Sequence, residues 1–192
     1  MNLLHLDSSI LGSSSVSREL SRSIVEGYRA GHPDLQVTYR DLARDPLPHI
    51  DGESQKREES LIDALIDELK AADVVVIGAP LYNFAIPSGL KAWIDHVLIA
   101  GKTFKYGPAG VEGLVPDKKT YVVATRGGVY EGSPVVQMHE GHLDTVLRFV
   151  GIRDIEFVRA EGLAMREVRE TSLAAARAHV AALVPAAAQV AA

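Results

Sequence analysis

Two patterns of apolar positions alternate along this chain from one end to the other. Short runs such as Val74-Val75-Val76-Ile77 and Tyr121-Val122-Val123-Ala124 are continuously apolar, as in strands covered on both faces. Longer stretches between them carry apolar residues at helical spacing. The pattern predicts strands over 2–7, 36–40, 74–78, 120–125 and 155–158, and helices over 15–30, 54–72, 87–99, 135–150 and 166–183. Strand and helix alternate five times without an internal repeat or a linker, which predicts one α/β domain over 1–192: a parallel sheet with helices on both faces.

Boundary residues sharpen the picture. Pro87 suits a first helical turn, where its missing N–H costs nothing. Gly31-His32-Pro33 stops the first helix, and Gly151 stands where a glycine would end the fourth. The stretch 41–52, with Pro46 and Pro48, reads as a loop. So does 101–118, which carries Gly107, Pro108, Gly110, Gly113 and Pro116 and has the length of a binding element or lid. The Ala-rich end reads as a last helix followed by a frayed tail over 185–192.

Composition narrows the function classes. Twenty Lys and Arg against 25 Asp and Glu give a formal charge of -5, which argues against a nucleic-acid-binding protein. Cys is 0, which removes disulfides, thiolate nucleophiles and Cys-ligated metals and suits a cytoplasmic location. The first residues lack the basic and apolar regions of a secretory signal. The longest uncharged stretch, 74–90, is broken by Gly78, Pro80, Asn83 and Pro87, so no membrane span is expected.

Ligands of such sheets bind beyond the carboxyl ends of the strands, and three loops there are unusual. The first strand runs into Asp7-Ser8-Ser9-Ile10-Leu11-Gly12-Ser13-Ser14-Ser15-Val16-Ser17 and then a helix. Hydroxyls and unpaired N–H groups at a helix start form an anion site; a Ser-rich turn with one N-cap is the plainer alternative. The third strand ends in Pro80-Leu81-Tyr82-Asn83-Phe84-Ala85-Ile86-Pro87. Its prolines fix a backbone that presents main-chain groups and Asn83 to a flat heterocycle, or else form a rigid turn capping the core. The fourth ends in Thr125-Arg126-Gly127-Gly128-Val129-Tyr130, where glycines admit a close approach to the backbone or supply a turn.

Taken with Asp41-Leu42, Gly113-Leu114-Val115 and Ala160-Glu161-Gly162, these loops resemble the FMN-dependent NADH-azoreductases, flavodoxin-like quinone and azo-dye reductases. The resemblance spans nearly the whole chain. It implies a flavodoxin-like doubly wound sheet of five parallel strands in the order 2-1-3-4-5. It also implies that Ser9, Ser15, Val16 and Ser17 hold the FMN phosphate. Leu81, Tyr82, Asn83 and Phe84 would lie along the isoalloxazine, and Thr125, Arg126, Gly127 and Gly128 at its pyrimidine end. NADH, or NADPH, would donate hydride, and a quinone or azo compound would accept two electrons on the same face in a ping-pong cycle. No amino-acid nucleophile is required, so no catalytic residue is assigned. Phe84, Phe104, Tyr106 and Tyr130 are candidate walls of the substrate pocket. The family further implies a homodimer with sites at the interface, the 101–118 loop of one subunit closing the other's pocket. Two departures stand out: Leu81 where the family often has Met, and Tyr130 where some relatives have His. The loop over 51–60, shorter than in longer relatives, is a candidate for the substrate mouth.

Other signals are set aside. Gly101-Lys102-Thr103 follows a helix and lacks the first glycine of a phosphate-binding P-loop. His139-Glu140-Gly141-His142 has the wrong spacing for a helical zinc site and reads as a solvated helix face. His5 reads as a satisfied sheet histidine, and Trp93 as core or subunit interface. No Gly-x-Ser-x-Gly elbow supports a serine hydrolase. The rival from another class is a flavodoxin-type electron carrier without small-molecule turnover. Such carriers are usually more acidic than this chain, to dock on basic partners.

Overall fold

The structure is a computed structural model that describes residues 1–51, 59–108 and 110–184. The chain runs β1 (Asn2–Asp7), α1 (Val16–Gly31), β2 (Gln36–Asp41), α2 (Glu59–Ala71), β3 (Val74–Pro80), α3 (Ser88–Val97), β4 (Phe104–Gly107), β5 (Gly110–Gly113) and β6 (Lys119–Thr125). It continues through α4, made of the successive segments Pro134–Val136, π-helical Gln137–Gly141 and His142–Val150, then β7 (Ile155–Ala160) and α5 (Arg169–Leu183). The start of the helix expected over 54–72, most of the 51–60 loop and the tail over 185–192 lie outside the described residues.

The main sheet has five parallel strands in the order β2-β1-β3-β6-β7. The expected order 2-1-3-4-5 is thereby corrected to 2-1-3-6-7, because the connection read as a loop contains two strands of its own. β4 and β5 pair antiparallel as a separate hairpin, Phe104 opposite Gly113 and Gly107 opposite Gly110. Gly110 has φ +111, a value side chains resist, which lets the hairpin turn. Gly113 presses the hairpin onto the end of α4. A Cβ there would meet Val150 and Gly151 backbone at 2.3 Å, and the Val115 N–H donates to Val150 O at 2.9 Å.

Alternation along the strands divides the core in two. Leu4, Leu6, Val75 and Ile77 point to the face covered by α2, α3 and α4, where they join Leu65, Leu69, Leu90, Trp93 and Leu147. Leu3, Val74, Val76 and Val123 point to the other face and pack on Leu20 and Ile24 of α1 and Ala176 and Val180 of α5. Trp93 belongs to the first cluster, 2% exposed. Pro87 proves to be the N-cap of α3 rather than its first turn, and Gly151 ends α4 with φ +115, as its position suggested. Among the described residues, no helix is long and apolar enough to cross a membrane.

Candidate flavin site

The carboxyl ends of β1, β3 and β6 carry the three loops to one edge of the sheet. There they form a cleft of about 310 Å³. Ser9, Ser15 and Val16 line one part of it, and Leu81, Tyr82, Thr125, Arg126 and Gly127 another. A second, larger cleft of about 800 Å³ shares Leu81 and Tyr82 and extends past Asn83 to Lys91 and His142.

At the first loop, Ser15 is the N-cap of α1. Its Oγ accepts from the Arg18 N–H at 3.3 Å and its carbonyl from the Glu19 N–H at 3.1 Å. The N–H groups of Val16 and Ser17 have no protein acceptor among the described residues. The Ser17 hydroxyl is buried and lies 3.0 Å from Ser15 Oγ, so it braces Ser15 from behind rather than lining the cleft.

A buried ionic cluster, unsuspected from sequence, holds that loop. The Arg18 guanidinium forks onto both Asp41 oxygens at 2.6 Å and donates to the Ser9 carbonyl at 2.7 and 3.2 Å. Tyr39 donates to Asp7 at 3.1 Å, and Ser21 to Asp7 at 2.9 Å. His5 Nε2 lies 3.0 Å from Ser21 Oγ, so His5 is a satisfied sheet histidine. Hydrogen bonds from Arg18 hold the Asp41 carboxyl below the usual range. Burial pushes Asp7 up, but His5, Ser21 and Arg18 together bring it below the usual range too.

The second loop is a two-residue hairpin. Tyr82 and Ala85 exchange N–H···O bonds at 3.0 Å around Asn83 (φ 49) and Phe84 (φ 66). Two successive left-handed residues make the tight turn that joins antiparallel segments, at a conformational cost to Phe84 in particular. The Leu81 N–H donates to Thr125 O at 2.8 Å, which ties the second loop to the third. Phe84 is 55% exposed and meets Tyr130 edge to face at 6.3 Å.

The third loop departs from expectation. Arg126 is fully buried and turns away from the cleft mouth: its guanidinium pairs with Glu140 and Glu161 and donates to His139 Nδ1 at 3.2 Å. Arg159 adds a second cation on Glu140 at 2.7 Å, and Glu161 accepts from the Tyr130 N–H at 2.9 Å. The reading of His139 and Glu140 as a solvated face is therefore corrected. Both are buried: the charge of Arg126 is met by the Glu140 carboxylate, and its Nε–H by the His139 ring. Burial, reinforced by Arg126, pushes His139 down to about 4. Burial pushes Glu140 up, but Arg159 and Arg126 outweigh it and leave its carboxyl below the usual range. Neither glycine of the pair has positive φ. A Cβ at Gly128 would meet the Tyr130 ring at 3.1 Å, so that glycine makes room for the protein's own tyrosine.

Phe104 and Tyr106 lie outside both clefts. Phe104 is buried against Phe149 at 4.6 Å and anchors the hairpin, while Tyr106 is 74% exposed at its edge. Among the described residues no group of acidic and His side chains could hold a metal ion.

A phosphate monoester attached to a flat ring fits this donor set. Hydroxyls and the open Val16 N–H stand at one part of the cleft, and Leu81, Tyr82 and the Thr125–Gly127 turn at the other. This is a flavodoxin-like fold with a cleft at the carboxyl ends of β1, β3 and β6. The chain matches the family described as "Flavodoxin-like fold" over residues 1–184 and belongs to it. It is 50% identical to the FMN-dependent NADH:quinone oxidoreductase 2 of Pseudomonas aeruginosa, over 94% of this chain and 97% of that one. It is also 50% identical to the FMN-dependent NADH:quinone oxidoreductase of Methylorubrum populi, over 92% and 95%. An FMN-dependent NADH-azoreductase from Bacillus anthracis, solved with FMN, superposes with TM-score 0.81 at 26% identity, covering 96% of this chain and 100% of that one. The azoreductase from Bacillus anthracis strain Sterne gives 0.85 at 27%, covering 96% and 98%.

Proposed function

We propose that this protein is an FMN-dependent NADH:quinone oxidoreductase that also reduces aromatic azo compounds. The observation that carries the reading is the pairing, in one cleft, of the open Val16 N–H beside the Ser9 and Ser15 hydroxyls with the rigid Leu81–Tyr82 and Thr125–Gly127 backbone. When bound there, FMN would accept hydride from NADH, or NADPH, and pass two electrons to the acceptor.

The chain's own part is positional. Ser9, Ser15 and the start of α1 hold the phosphate, and Ser17 fixes Ser15. Leu81, Tyr82, Asn83 and Phe84 lie along the ring system, the double left-handed turn aiming their main-chain groups. Thr125, Gly127 and Gly128 offer backbone to the polar end, while Arg126 acts from behind by pinning that loop to Glu140 and Glu161. The larger cleft beside Tyr82 supplies room for a small-molecule acceptor, which an electron carrier does not need. Tyr130 and the partner subunit's hairpin, through its exposed Tyr106, wall that space in a cytoplasmic homodimer of one-domain subunits.

Chromatography of the flavin released on denaturing the purified protein tests the cofactor. FMN is expected; FAD, or no flavin even after reconstitution, overturns the proposal.

A further inference from the structure

The Ser-rich loop supplies hydroxyls and N–H groups but no cation, and a phosphate monoester carries up to two negative charges. Three arginines stand at or under the cleft. Arg18 is neutralised by Asp41, and Arg126 by Glu140 and Glu161. The third, Arg169, lines the same cleft as Ser9 and Ser15 and makes no ion pair among the described residues. Its Nη1 donates to the Leu163 carbonyl at 2.5 Å, which fixes the guanidinium while leaving Nε and Nη2 without an acceptor among the described residues. Arg169 is also the first residue of α5, a helix of 15 residues, so the helix start adds to the positive potential at this spot. Glu170, the acidic residue of that first turn, is exposed.

We infer that Arg169 is a phosphate ligand of the flavin site, supplying the positive charge that the β1–α1 loop lacks. The inference rests on the FMN reading above. A half-buried guanidinium already tethered through one nitrogen loses little freedom on binding, and its planar donors match phosphate oxygens. The sequence offers no hint of this, since Arg169 lies more than 150 residues from the serines it joins.

The test is a fluorescence titration of flavin-free full-length protein with FMN and, separately, with riboflavin, which has the ring but no phosphate. In Arg169→Gln, FMN affinity is expected to fall by about 10-fold or more, the loss of one charge-assisted hydrogen bond. Riboflavin affinity should stay within about 2-fold of the unmutated protein, as no charged contact is lost. Arg169→Lys, which keeps the charge without the planar fork, should show a smaller loss confined to FMN. An equal loss for both flavins would make Arg169 a purely structural brace of Leu163 and overturn the inference. So would unchanged FMN affinity together with a raised KM for NADH, which would put the guanidinium on the donor's phosphates. If the unmutated protein binds neither flavin, the functional reading fails first, and that result is distinct from both.

Discussion

The hydroxyls of Ser9 and Tyr82 lie 3.0 Å apart, and the Ile10 N–H donates to the same Tyr82 oxygen at 3.2 Å. The loop after β1 and the loop after β3 are thus tied by one phenol, across the cleft they share. Removing it should loosen the phosphate loop without harming the core. Tyr82→Phe is expected to lower FMN affinity several-fold, in line with roughly 0.5–1.5 kcal/mol for a neutral hydrogen bond. Its unfolding midpoint should change little. A flavin titration beside a melting curve checks this, and unchanged affinity would show that the tie is incidental.

The fork between Arg18 and Asp41 is the strongest brace of the same loop, with side chains 9% and 14% exposed. Deleting Arg18 leaves Asp41 charged, half-buried and held, among the described residues, only by the Ala43 and Arg44 N–H groups. Arg18→Ala should lose roughly 1.5–3 kcal/mol in urea unfolding. Loss below about 1 kcal/mol, the worth of an exposed pair, would mean that water replaces the guanidinium freely.

Acid should destabilise the protein in a window set by His139. Its ordinary value is 6.5, while burial beside Arg126 holds it at about 4 in the fold. The unfolded chain takes up this proton first. The stability that neutral His139 contributes is therefore complete above pH 6.5 and is lost as pH falls toward 4. A shift of this size corresponds to on the order of 3 kcal/mol. As pH falls through 4.5 and then 3.8, the ordinary values of Glu140 and Asp41, these depressed carboxyls begin to add their own loss, which continues to lower pH. Stability against pH for His139→Gln should be flatter from pH 6.5 to 4 than for the unmutated protein. An equally steep decline would assign it to another group.

The left-handed Asn83 gives a backbone prediction. Asn tolerates φ 49 better than residues without a short polar side chain, and glycine tolerates it freely. Asn83→Gly should therefore be as stable as the parent, while Asn83→Ala should lose about 1 kcal/mol. Equal denaturant midpoints for the two variants would contradict a strained turn.

Much of this was legible in the residues, and the unread parts share a cause. Continuous apolar runs placed β3 and β6, which are buried on both faces, and the alternation of strand and helix placed the less apolar edge strands β2 and β7. The 104–113 hairpin escaped because its strands are four residues each and mostly solvent-facing, with glycines that signal loop as readily as turn. Ser9, Ser15 and Tyr82 were visible as loop chemistry at a sheet edge. The roles of Arg18 and Glu140 were not, since their partners are distant in sequence and a charged residue on a helix ordinarily faces water, and the same distance hid the pairing of Glu161, in the loop after β7, with Arg126. Spacing could exclude a zinc site at His139–His142 but could not reveal that Arg126 draws Glu140 inward.

Steady-state oxidation of NADH by the purified protein with a quinone, and with no protein partner, tests the central claim most directly. If donor and acceptor use one flavin face in turn, reciprocal rates against reciprocal NADH at several quinone concentrations form parallel lines. An absence of turnover without a partner would instead make the chain an electron carrier, and intersecting lines would mean that both substrates occupy the site together.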